Sequence, residues 1–286
     1  MSTRLDPGRD FPACLDLSAW YGDGEQRATI ATTSRHVELA QVQAVYYRRP
    51  TPYLHGPAAP QHARFTAAQA RFGLGGVLAS LRCPYINHPW RIAAAEHKPL
   101  QLATARTAGF TIPATLITNR MADARAFADE HGPIIYKPLR MTPLDGADGQ
   151  PATIWATPVN SDQLDQRVNH AAHLFQARVH KAADIRITAV GNRLFCVRIE
   201  SGMLDWRQDY EKHRYVVVDP PPTITEACMA YLKHLDLRFA AFDFAVTDDG
   251  RWVFLEANPN GQWAWLQDAT RLPIAPAIAD LLLEGK

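Results

Sequence analysis

The chain has 286 residues, enough for one large domain or roughly two to three smaller units with a sizeable core. Hydrophobic residues make up 47% and charged residues 21%, and the formal net charge is +1, so bulk charge gives no reason to expect a nucleic-acid or membrane partner. No apolar run approaches the roughly 20 residues of a membrane-spanning helix, and the polar N-terminus lacks the apolar stretch of a secretory signal. The four cysteines are scattered without a CxxC pair, which argues against a disulfide framework or zinc site and favours a cytoplasmic location.

The first of three predicted regions covers residues 1–89. Two strands are predicted, Thr29–Thr32 and Val42–Tyr47, because β-branched and aromatic residues are concentrated there. A loop rich in proline and glycine runs from Pro50 to Pro60. Apolar residues then recur at helical spacing from Phe65 to Leu81, with glycines among them, so a helix with interruptions is expected there.

The second region covers residues 90–174. It opens on a predicted helix from Asn87 to Ala108, with Asn87 as the capping residue and Gly109 as the stop. The stretch from Leu144 to Gln150 is polar and contains glycine, which is typical of a mobile loop. Strands and a helix alternate around this loop: a strand at Ala114–Thr118, a helix at Ala122–His131, and strands at Pro133–Lys137 and Thr153–Thr157.

The third region covers residues 175–286. Strands at Asp184–Val190 and Leu194–Glu200 flank a turn at Gly191–Asn192, and helices are predicted at Thr225–Leu235 and Ile274–Leu283. Between these helices lies a hairpin around an Asp/Gly-rich turn. Strands and helices alternate along the chain with hairpins among them, so the sequence predicts a mixed α/β fold.

The C-terminal hairpin gathers polar groups on one face. Side chains alternate along a strand, so Glu256 and Asn258 point the same way. Two turn registers, one of them a two-residue turn at Asp249–Gly250, place Asp243 beside or opposite Glu256, whereas a three-residue loop would separate them. Two carboxylates and an amide oxygen are ligands that Mg²⁺ prefers, and carboxylates this close repel without a cation. The hairpin therefore predicts a magnesium site.

Basic residues elsewhere suit the phosphates of a nucleotide. Lys137 ends an apolar strand and Lys98 lies in the helix that begins at Asn87; an ammonium is a good point-charge partner for phosphate. Arg186 is a candidate for stabilising charge on a transferring phosphoryl group. A tight turn at Gly191–Asn192 sends Arg198 to the opposite face of the sheet, whereas a bulge or longer turn brings it round.

With these residues in view, the chain resembles the ATP-grasp ligases, and within them the maturases of graspetides. Graspetides are ribosomal peptides cross-linked through side-chain esters or amides, such as the microviridins. The resemblance extends over nearly the whole chain, and the C-terminal stretch is its most specific part. It rests on Tyr47-Arg48-Arg49-Pro50, Asn87-His88-Pro89, Lys98, Tyr136-Lys137-Pro138, Phe175-Gln176, Asp184-Ile185-Arg186, Asp205-Trp206-Arg207, Phe242-Asp243-Phe244 and the stretch from Leu255 to Trp263.

The resemblance implies an ATP-grasp fold in three parts and a role for each site residue. The parts are an N-terminal pre-ATP-grasp α/β domain at residues 1–89, a small central subdomain at 90–174 and a C-terminal ATP-binding subdomain at 175–286. Asp243, Glu256 and Asn258 would hold two Mg²⁺ ions, and Arg186 and Arg198 would act catalytically on the γ-phosphate and acyl phosphate. ATP contacts are expected from Lys98, Lys137, Gln176, Ala177, Val179, Lys181 and Asp184; peptide contacts are expected from Arg48, Arg49, Asn260 and the segment from Asp205 to Arg214, with Asp205 and Arg207 foremost.

The expected activity is an ATP-dependent carboxylate ligase. It would activate Asp or Glu side chains of a ribosomal precursor peptide as acyl phosphates and close ω-ester rings with Ser or Thr, or ω-amide rings with Lys. The peptide would carry a leader and a core rich in Thr, Ser, Asp and Glu, and the enzyme would be a homodimer. Two alternatives are an amino-acid or protein-tail ligase like glutathione synthetase or the ribosomal-protein glutamate ligases, and a non-catalytic nucleotide-binding protein that binds peptides.

The chain departs from the family pattern in two places. Family members begin with a strand and a helix before a segment like that from Arg4 to Ala13, and this opening unit is expected to be missing here. Ala177 occupies the hinge position that often carries an acidic residue, so the contact to the ribose has no assigned residue.

Overall fold

The computed structural model describes residues 2–22, 24, 26–53, 59–141, 144–145, 150–209 and 213–284. Residues 146–149 of the predicted loop, residues 54–58 of the Pro/Gly-rich loop and residues 210–212 of the expected peptide-contacting segment lie outside these ranges. The chain divides into two compact units, residues 1–91 with 278–286 and residues 92–277. The domain boundaries predicted at residues 89 and 174 stay predictions.

The first unit contains a three-stranded antiparallel sheet in the order β1-β2-β3. Its apolar side chains Leu15 and Ile30 pack with Leu39 and Leu74 in a small core. A second, parallel sheet pairs β4 with β5. The elements are α1 (Pro7–Asp10), β1 (Leu15–Trp20), β2 (Arg27–Thr32), β3 (His36–Glu38), β4 (Val45–Tyr46), α2 (Gln61–Phe72), α3 (Leu74–Ala79) and β5 (Tyr85–Ile86).

Two predictions for this unit need correction. The strand predicted at Val42–Tyr47 is confined to the two residues of β4. The helix predicted from Phe65 to Leu81 is two helices, which meet at Gly73. Glycines lower helix stability because they keep more backbone freedom in the unfolded chain, which explains a break in this glycine-rich stretch.

The helix predicted from Asn87 to Ala108 is also divided. It consists of α4 (Pro89–Ala95) and α5 (Lys98–Ala108). Pro99 accounts for the division, because a proline inside a helix lacks the N–H donor and its ring clashes with the carbonyl four residues earlier, here that of Ala95. Pro99 instead lies in the first turn of α5, where its missing N–H removes no bond. Gly109 ends α5 in the left-handed conformation (φ 98°), as predicted.

The second unit contains a four-stranded antiparallel sheet in the order β10-β7-β11-β6. Ala124 and Ala128 of α6 pack with Ile134 and Phe175 of this sheet in a core of their own. The strand predicted at Thr153–Thr157 is misplaced, since residues 153–156 lie outside any strand and pairing with β7 begins at Thr157. The elements are β6 (Thr115–Thr118), α6 (Met121–His131), β7 (Ile134–Lys137), β8 (Leu144–Asp145), β9 (Pro151–Ala152), β10 (Thr157–Val159) and β11 (His173–Ala177).

A five-stranded antiparallel sheet in the order β14-β13-β12-β15-β16 completes the second unit. One face carries an aromatic core in which Phe242, Phe244 and Phe254 contact Phe110 and Tyr231. Because side chains alternate along a strand, the other face carries the intervening residues, which include the charged side chains of Asp184, Arg186 and Asp243. The remaining elements are β12 (Ala183–Val190), β13 (Arg193–Glu200), β14 (Arg214–Val217), α7 (Pro222–His234), β15 (Phe239–Val246), β16 (Trp252–Asn258), α8 (Ala264–Thr270) and α9 (Ile274–Leu283).

Candidate nucleotide and metal site

A β-bulge in the hairpin of β15 and β16 brings two carboxylates together. Near the turn, Phe244 pairs with Phe254. Continued without interruption, this register would set Asp243 opposite Leu255 and turn Glu256 towards the aromatic core. The register shifts by one residue instead, and Asp243 pairs directly with Glu256. Leu255 is thus the extra residue of the bulge. Neither predicted turn register is correct near the turn, and the predicted pair arises through the bulge.

The three candidate Mg²⁺ ligands share one face of the sheet. Asn258 pairs with Ala241, two positions along β15 from Asp243, so its side chain lies on the face of the carboxylates. Its amide oxygen accepts one hydrogen bond, from the Asn260 backbone N–H at 2.9 Å, and keeps a second lone pair. In the described parts of the chain, no group of three or more His, Cys, Asp or Glu residues forms a ready-made metal centre. Two carboxylates and one amide oxygen fit Mg²⁺, which takes its other ligands from water and phosphate.

Arg186 holds Asp243 from the neighbouring strand. The two residues are paired in the sheet, and Nη1 of Arg186 donates to both carboxylate oxygens, at 2.9 and 2.8 Å. Nη2 donates to the Gln262 carbonyl oxygen at 3.1 Å, which ties the loop after β16 to the guanidinium. Nε of Arg186 is buried and has no hydrogen-bond partner among the described residues. A buried cationic donor without a partner is a feature expected of a ligand-binding group.

Arg198 lies on the other face of the sheet. The tight turn at Gly191–Asn192 pairs Arg198 with Ile185, whose side chain belongs to the aromatic core. Its nearest acidic partner is Glu200, with an N–O distance of 3.8 Å. The structure therefore does not bring Arg198 to Asp243. Of the two alternatives considered from sequence, the tight turn is the one observed.

Glu256 is paired with cations from two distant parts of the chain. Lys98 Nζ donates to Oε2 at 2.8 Å and Arg207 Nη1 donates to Oε1 at 2.5 Å. The Lys98 ammonium holds the pKa of Glu256 well below its ordinary value despite burial. Burial raises the pKa of Asp243, and the Arg186 guanidinium opposes that rise. Side chains of the protein thus supply the cations that two adjacent carboxylates require.

Lys137 enters the cleft from the end of β7. Its Nζ donates to Oε1 of Gln176 at 2.7 Å, and Nε2 of Gln176 donates to Oγ1 of Thr115 at 3.0 Å. This relay fixes the direction of the ammonium. Burial lowers the pKa of Lys137 to about 8, because the charged form loses its hydration. A phosphate placed here would restore a favourable partner for the charge.

Two further ion pairs border the cleft. Lys181 Nζ donates to both oxygens of Asp184, at 2.7 and 2.6 Å, and to the carbonyl oxygen of Leu204 at 2.9 Å. Burial raises the pKa of Asp184 to about 6, and Lys181 opposes this rise. Nε and Nη2 of Arg207 donate to the two carboxylate oxygens of Asp205, both at 2.8 Å. This bidentate pair fixes the plane of the guanidinium, whose Nη1 bonds Glu256.

Most of these groups line one cleft that opens to solvent. Apolar side chains form part of the wall and the charged groups described above form the rest, an arrangement that suits a flat base and a chain of phosphates. The lining residues include Ile135, Lys137, Gln176, Ala177, Val179, Lys181, Asp184, Asp205, Arg207, Asp243, Leu255 and Glu256.

Comparison with known proteins gives consistent relatives. Residues 1–93 match the family model of the MvdD pre-ATP-grasp domain. A comparison of the sequence with curated proteins gives no significant match. Among solved structures, the macrocyclase MdnC of Microcystis aeruginosa MRC, bound to its precursor peptide MdnA, is 29% identical; the alignment covers 99% of this chain and 90% of that one, with a TM-score of 0.87.

Two further structures extend this result. A RiPP-associated ATP-grasp ligase of Chryseobacterium gregarium, in complex with ADP and a leader and core peptide, is 26% identical over 99% of this chain and 89% of that one, with a TM-score of 0.90. The ATP-grasp ligase PsnB, complexed with a minimal precursor, Mg and ADP, is 21% identical over 98% and 87%, with a TM-score of 0.73, and shows the fold alone.

The chain has the ATP-grasp fold and is similar over nearly its whole length to ATP-grasp ligases that act on precursor peptides. The predicted resemblance to the graspetide maturases and the predicted mixed α/β architecture are confirmed. Among the described residues, no helix combines the length and apolar character that crossing a membrane requires.

Some of the residues expected at the site belong to the first unit or use their backbone N–H groups within the protein. Arg48 and Arg49 belong to the first unit, where Arg49 adopts the left-handed region with φ 43°. The Ala177 backbone N–H donates to the Ala114 carbonyl at 2.9 Å, so it is not available to adenine. The Asn260 backbone N–H is used by Asn258.

The sequence reasoning missed Thr115 as a contributor to the site, and it named Gln262 and Gly261 within the stretch from Leu255 to Trp263 without giving either a role. Thr115 orients Gln176 from a strand 61 residues earlier in the chain, and no local pattern reveals such a partner. Gln262 contributes only its carbonyl oxygen, which any residue provides. The role of Gly261 could have been found, because glycine after asparagine often marks a close approach of backbone. A Cβ at Gly261 would lie 2.5 Å from Ala241 Cβ and 2.9 Å from Arg186 Nη2.

Proposed function

We propose that this protein uses ATP to activate side-chain carboxylates of a ribosomal precursor peptide and cross-links them to hydroxyl or amine side chains of the same peptide. The observation that carries the proposal is the convergence of Lys137, Arg186, Asp243 and Glu256 around one cleft, in a chain that aligns over 99% of its length with peptide-bound and ADP-bound relatives. Phosphate-binding cations beside a carboxylate pair are what transfer of a phosphoryl group requires.

In this proposal the residues act by binding and orientation. Lys137 and Lys98 hold ATP phosphates, the apolar wall with Gln176 and Val179 receives the base, and Arg186 stabilises charge on the transferring phosphoryl group. Asp243, Glu256 and Asn258 are the residues that would hold Mg²⁺, which would supply positive charge to neutralise the charge that develops during phosphoryl transfer. Arg198 is left out of the catalytic set because it lies on the opposite face of the sheet. Arg207, Asp205, Asn260, Arg48 and Arg49 remain proposed peptide contacts.

The finer features are proposed on the same basis. Two Mg²⁺ ions, a homodimer, a core rich in Thr, Ser, Asp and Glu, and either ester or amide rings follow the family resemblance. A cytoplasmic location is proposed because the reaction consumes ATP and because all four cysteines are free thiols.

The test is incubation with ATP, Mg²⁺ and a candidate precursor peptide that contains Thr, Ser, Asp and Glu, followed by mass spectrometry and an assay of ADP. Loss of one water mass per ring, with matching ADP release, supports the proposal. Mass gains equal to added amino acids would instead identify an amino-acid or protein-tail ligase. ATP binding without peptide-stimulated ADP release would identify a non-catalytic nucleotide-binding protein, and either result would overturn the proposal.

A further inference from the structure

The ammonium of Lys181 donates hydrogen bonds to three oxygen atoms of the protein. Nζ donates to Oδ1 of Asp184 at 2.7 Å, to Oδ2 at 2.6 Å and to the carbonyl oxygen of Leu204 at 2.9 Å. An ammonium has three N–H donors, so these acceptors use all of them. The pair is also shielded from water, since the side chain of Lys181 is 13% exposed and that of Asp184 is 3% exposed. A phosphate could bind Lys181 only by displacing one of these oxygens.

Lys137 of the cleft and Lys98 of the adjoining pocket differ in this respect. Among the described residues, Lys137 donates one hydrogen bond, to Gln176, and Lys98 donates one, to Glu256. Each therefore keeps donors for a nucleotide phosphate. Lys181 was expected to contact ATP as well, but its bonding indicates a different task within the same cleft.

Lys181 joins two structures that face the cleft from different sides. Asp184 is on β12, two positions from Arg186 and on the same face. Leu204 opens residues 204–209, which we call the 204–209 segment. Further along this segment, Asp205 and Arg207 line the cleft, and Arg207 reaches Glu256.

The 204–209 segment has little regular structure to hold it in place. It contains one turn of 3-10 helix, capped by the Asp205 side chain, which accepts the Arg207 backbone N–H at 3.2 Å. The buried Trp206 ring lies 5.3 Å from the ring of Trp265. The bond from Lys181 to Leu204, together with the bonds from Lys181 to Asp184, therefore links the beginning of the segment to β12.

We propose that Lys181 is a positioning residue, which anchors the 204–209 segment to β12 and thereby couples nucleotide in the cleft to the placement of Arg207 for the peptide. The coupling rests on the proposed function, whereas the anchoring does not. It requires no contact between Lys181 and the nucleotide. Loss of the Lys181 side chain is therefore expected to weaken the coupling between nucleotide binding and peptide binding, while both ligands still bind.

The anchoring is tested without any ligand by hydrogen exchange of the backbone amides of residues 207–209. Their N–H groups donate within the segment, to Asp205 and Trp206. Lys181→Met is expected to speed their exchange by about tenfold or more, and Lys181→Arg, which can still reach both acceptors, is expected to restore most of the protection. Unchanged exchange in Lys181→Met would overturn the proposal.

The coupling is tested by measuring peptide affinity with and without ADP and Mg²⁺. A coupling factor of roughly 5- to 150-fold is typical between linked sites. We expect the factor measured for the wild type to fall towards one in Lys181→Met, while the affinity for ADP changes by less than about threefold. Loss of ADP binding in this variant would show that Lys181 is a nucleotide ligand, contrary to the proposal. An unchanged coupling factor would show that Lys181 does not couple the two ligands, which would also overturn the proposal.

Two further variants keep the test decisive. Lys181→Met leaves Asp184 buried without its cation, so a variant that fails to fold is replaced by Lys181→Met/Asp184→Leu, which removes both charges and still lacks the anchor. Arg251→Met is the matched control, because Arg251 pairs with Asp249 at 2.7 Å in the exposed turn of the hairpin. If the wild type binds neither ADP nor peptide, the proposed function fails, and the exchange experiment still decides whether Lys181 anchors the segment.

Discussion

Burial and phosphate binding have opposite effects on the pKa of the Lys137 ammonium. Burial lowers the pKa of this ammonium from its ordinary 10.5 to about 8. Between these two values the unfolded chain binds more protons than the folded one, so the free energy of unfolding rises with pH across that window. A phosphate favours the charged ammonium, so the nucleotide should bind with uptake of a proton near pH 8.

We therefore predict that nucleotide affinity declines as the pH rises through about 8. Well above that value the affinity should fall by about tenfold per pH unit, because binding requires a protonated Lys137. Calorimetry in buffers of different ionisation enthalpy would measure the proton uptake directly. Lys137→Met is the control: it should bind nucleotide weakly at every pH and show no such step.

Arg186 and Arg198 form a matched pair on opposite faces of one sheet. Arg186→Lys keeps a charge beside Asp243 but loses the fork that reaches Gln262 as well. We expect this change to slow peptide-dependent ADP formation by about 10²-fold or more. Arg198→Lys should stay within about twofold of the wild type, and an equal loss in both variants would contradict the placement of the phosphoryl group at Arg186.

Gly261 is required by close packing rather than by an unusual dihedral angle. An added methyl would press on Ala241 and on Nη2 of Arg186. Gly261→Ala should lower the free energy of unfolding by about 1–3 kcal/mol and should weaken nucleotide binding, since Arg186 must move. Gly76→Ala is the control, because nothing lies within 4 Å of its added Cβ. Denaturant unfolding of both variants checks the difference.

At the scale of elements, the bulge at Leu255 determines which face receives Glu256. An alanine inserted between Leu255 and Glu256 adds a second unpaired residue, which either enlarges the bulge or turns Glu256 towards the aromatic core. We expect this insertion to abolish Mg²⁺-dependent nucleotide binding, with a loss of at least about tenfold in affinity. An alanine inserted after Asp248, in the exposed turn, should leave the pairing at Glu256 and the affinity nearly unchanged. Equal binding by both insertion variants would refute the role of the bulge.

At the same scale, local sequence patterns predicted part of the elements and missed others, such as β1, β14 and α8, and they did not predict the interruptions. The turn at Gly191–Asn192 and the helix Ile274–Leu283 were predicted where the structure has them, because turn chemistry and apolar spacing are local. The division at Pro99 was also readable from sequence but was overlooked. The Leu255 bulge was not readable, since it depends on how the whole hairpin pairs.

At the scale of the whole molecule, the metal should decide whether a nucleotide stabilises the fold. A ligand that binds only the folded protein adds about 2.7 kcal/mol of stability at a concentration a hundred times its Kd. We expect ADP to raise the midpoint of thermal unfolding with Mg²⁺ present and to raise it far less after chelation by EDTA. Asp243→Asn should remove the difference between the two conditions, and a stabilisation by ADP that ignores Mg²⁺ would contradict the proposed ligands.

The residues that line the cleft were largely predictable from sequence, but the ion pairs and hydrogen bonds between them were not. Sequence reasoning named most of the residues that line the cleft, because their types and spacing follow a recognisable pattern. It could not pair Lys98 with Glu256, which lie 158 residues apart, or Arg207 with the same carboxylate. Such pairs form only when separate elements pack, so a single sequence carries no direct sign of them.

The pairing of every acid in the cleft with a cation makes ligand binding an exchange of partners. Asp184, Asp205, Asp243 and Glu256 each pair with a lysine or arginine. A divalent ion held by Asp243 and Glu256 would compete with Arg186 and Lys98 for these oxygens, and a phosphate would offer the two cations another partner. A metal ion alone would meet carboxylates that are already paired, and a nucleotide alone would meet Arg186 and Lys98 with only part of their donors open. We therefore expect the magnesium–nucleotide complex to bind more tightly than either component by itself.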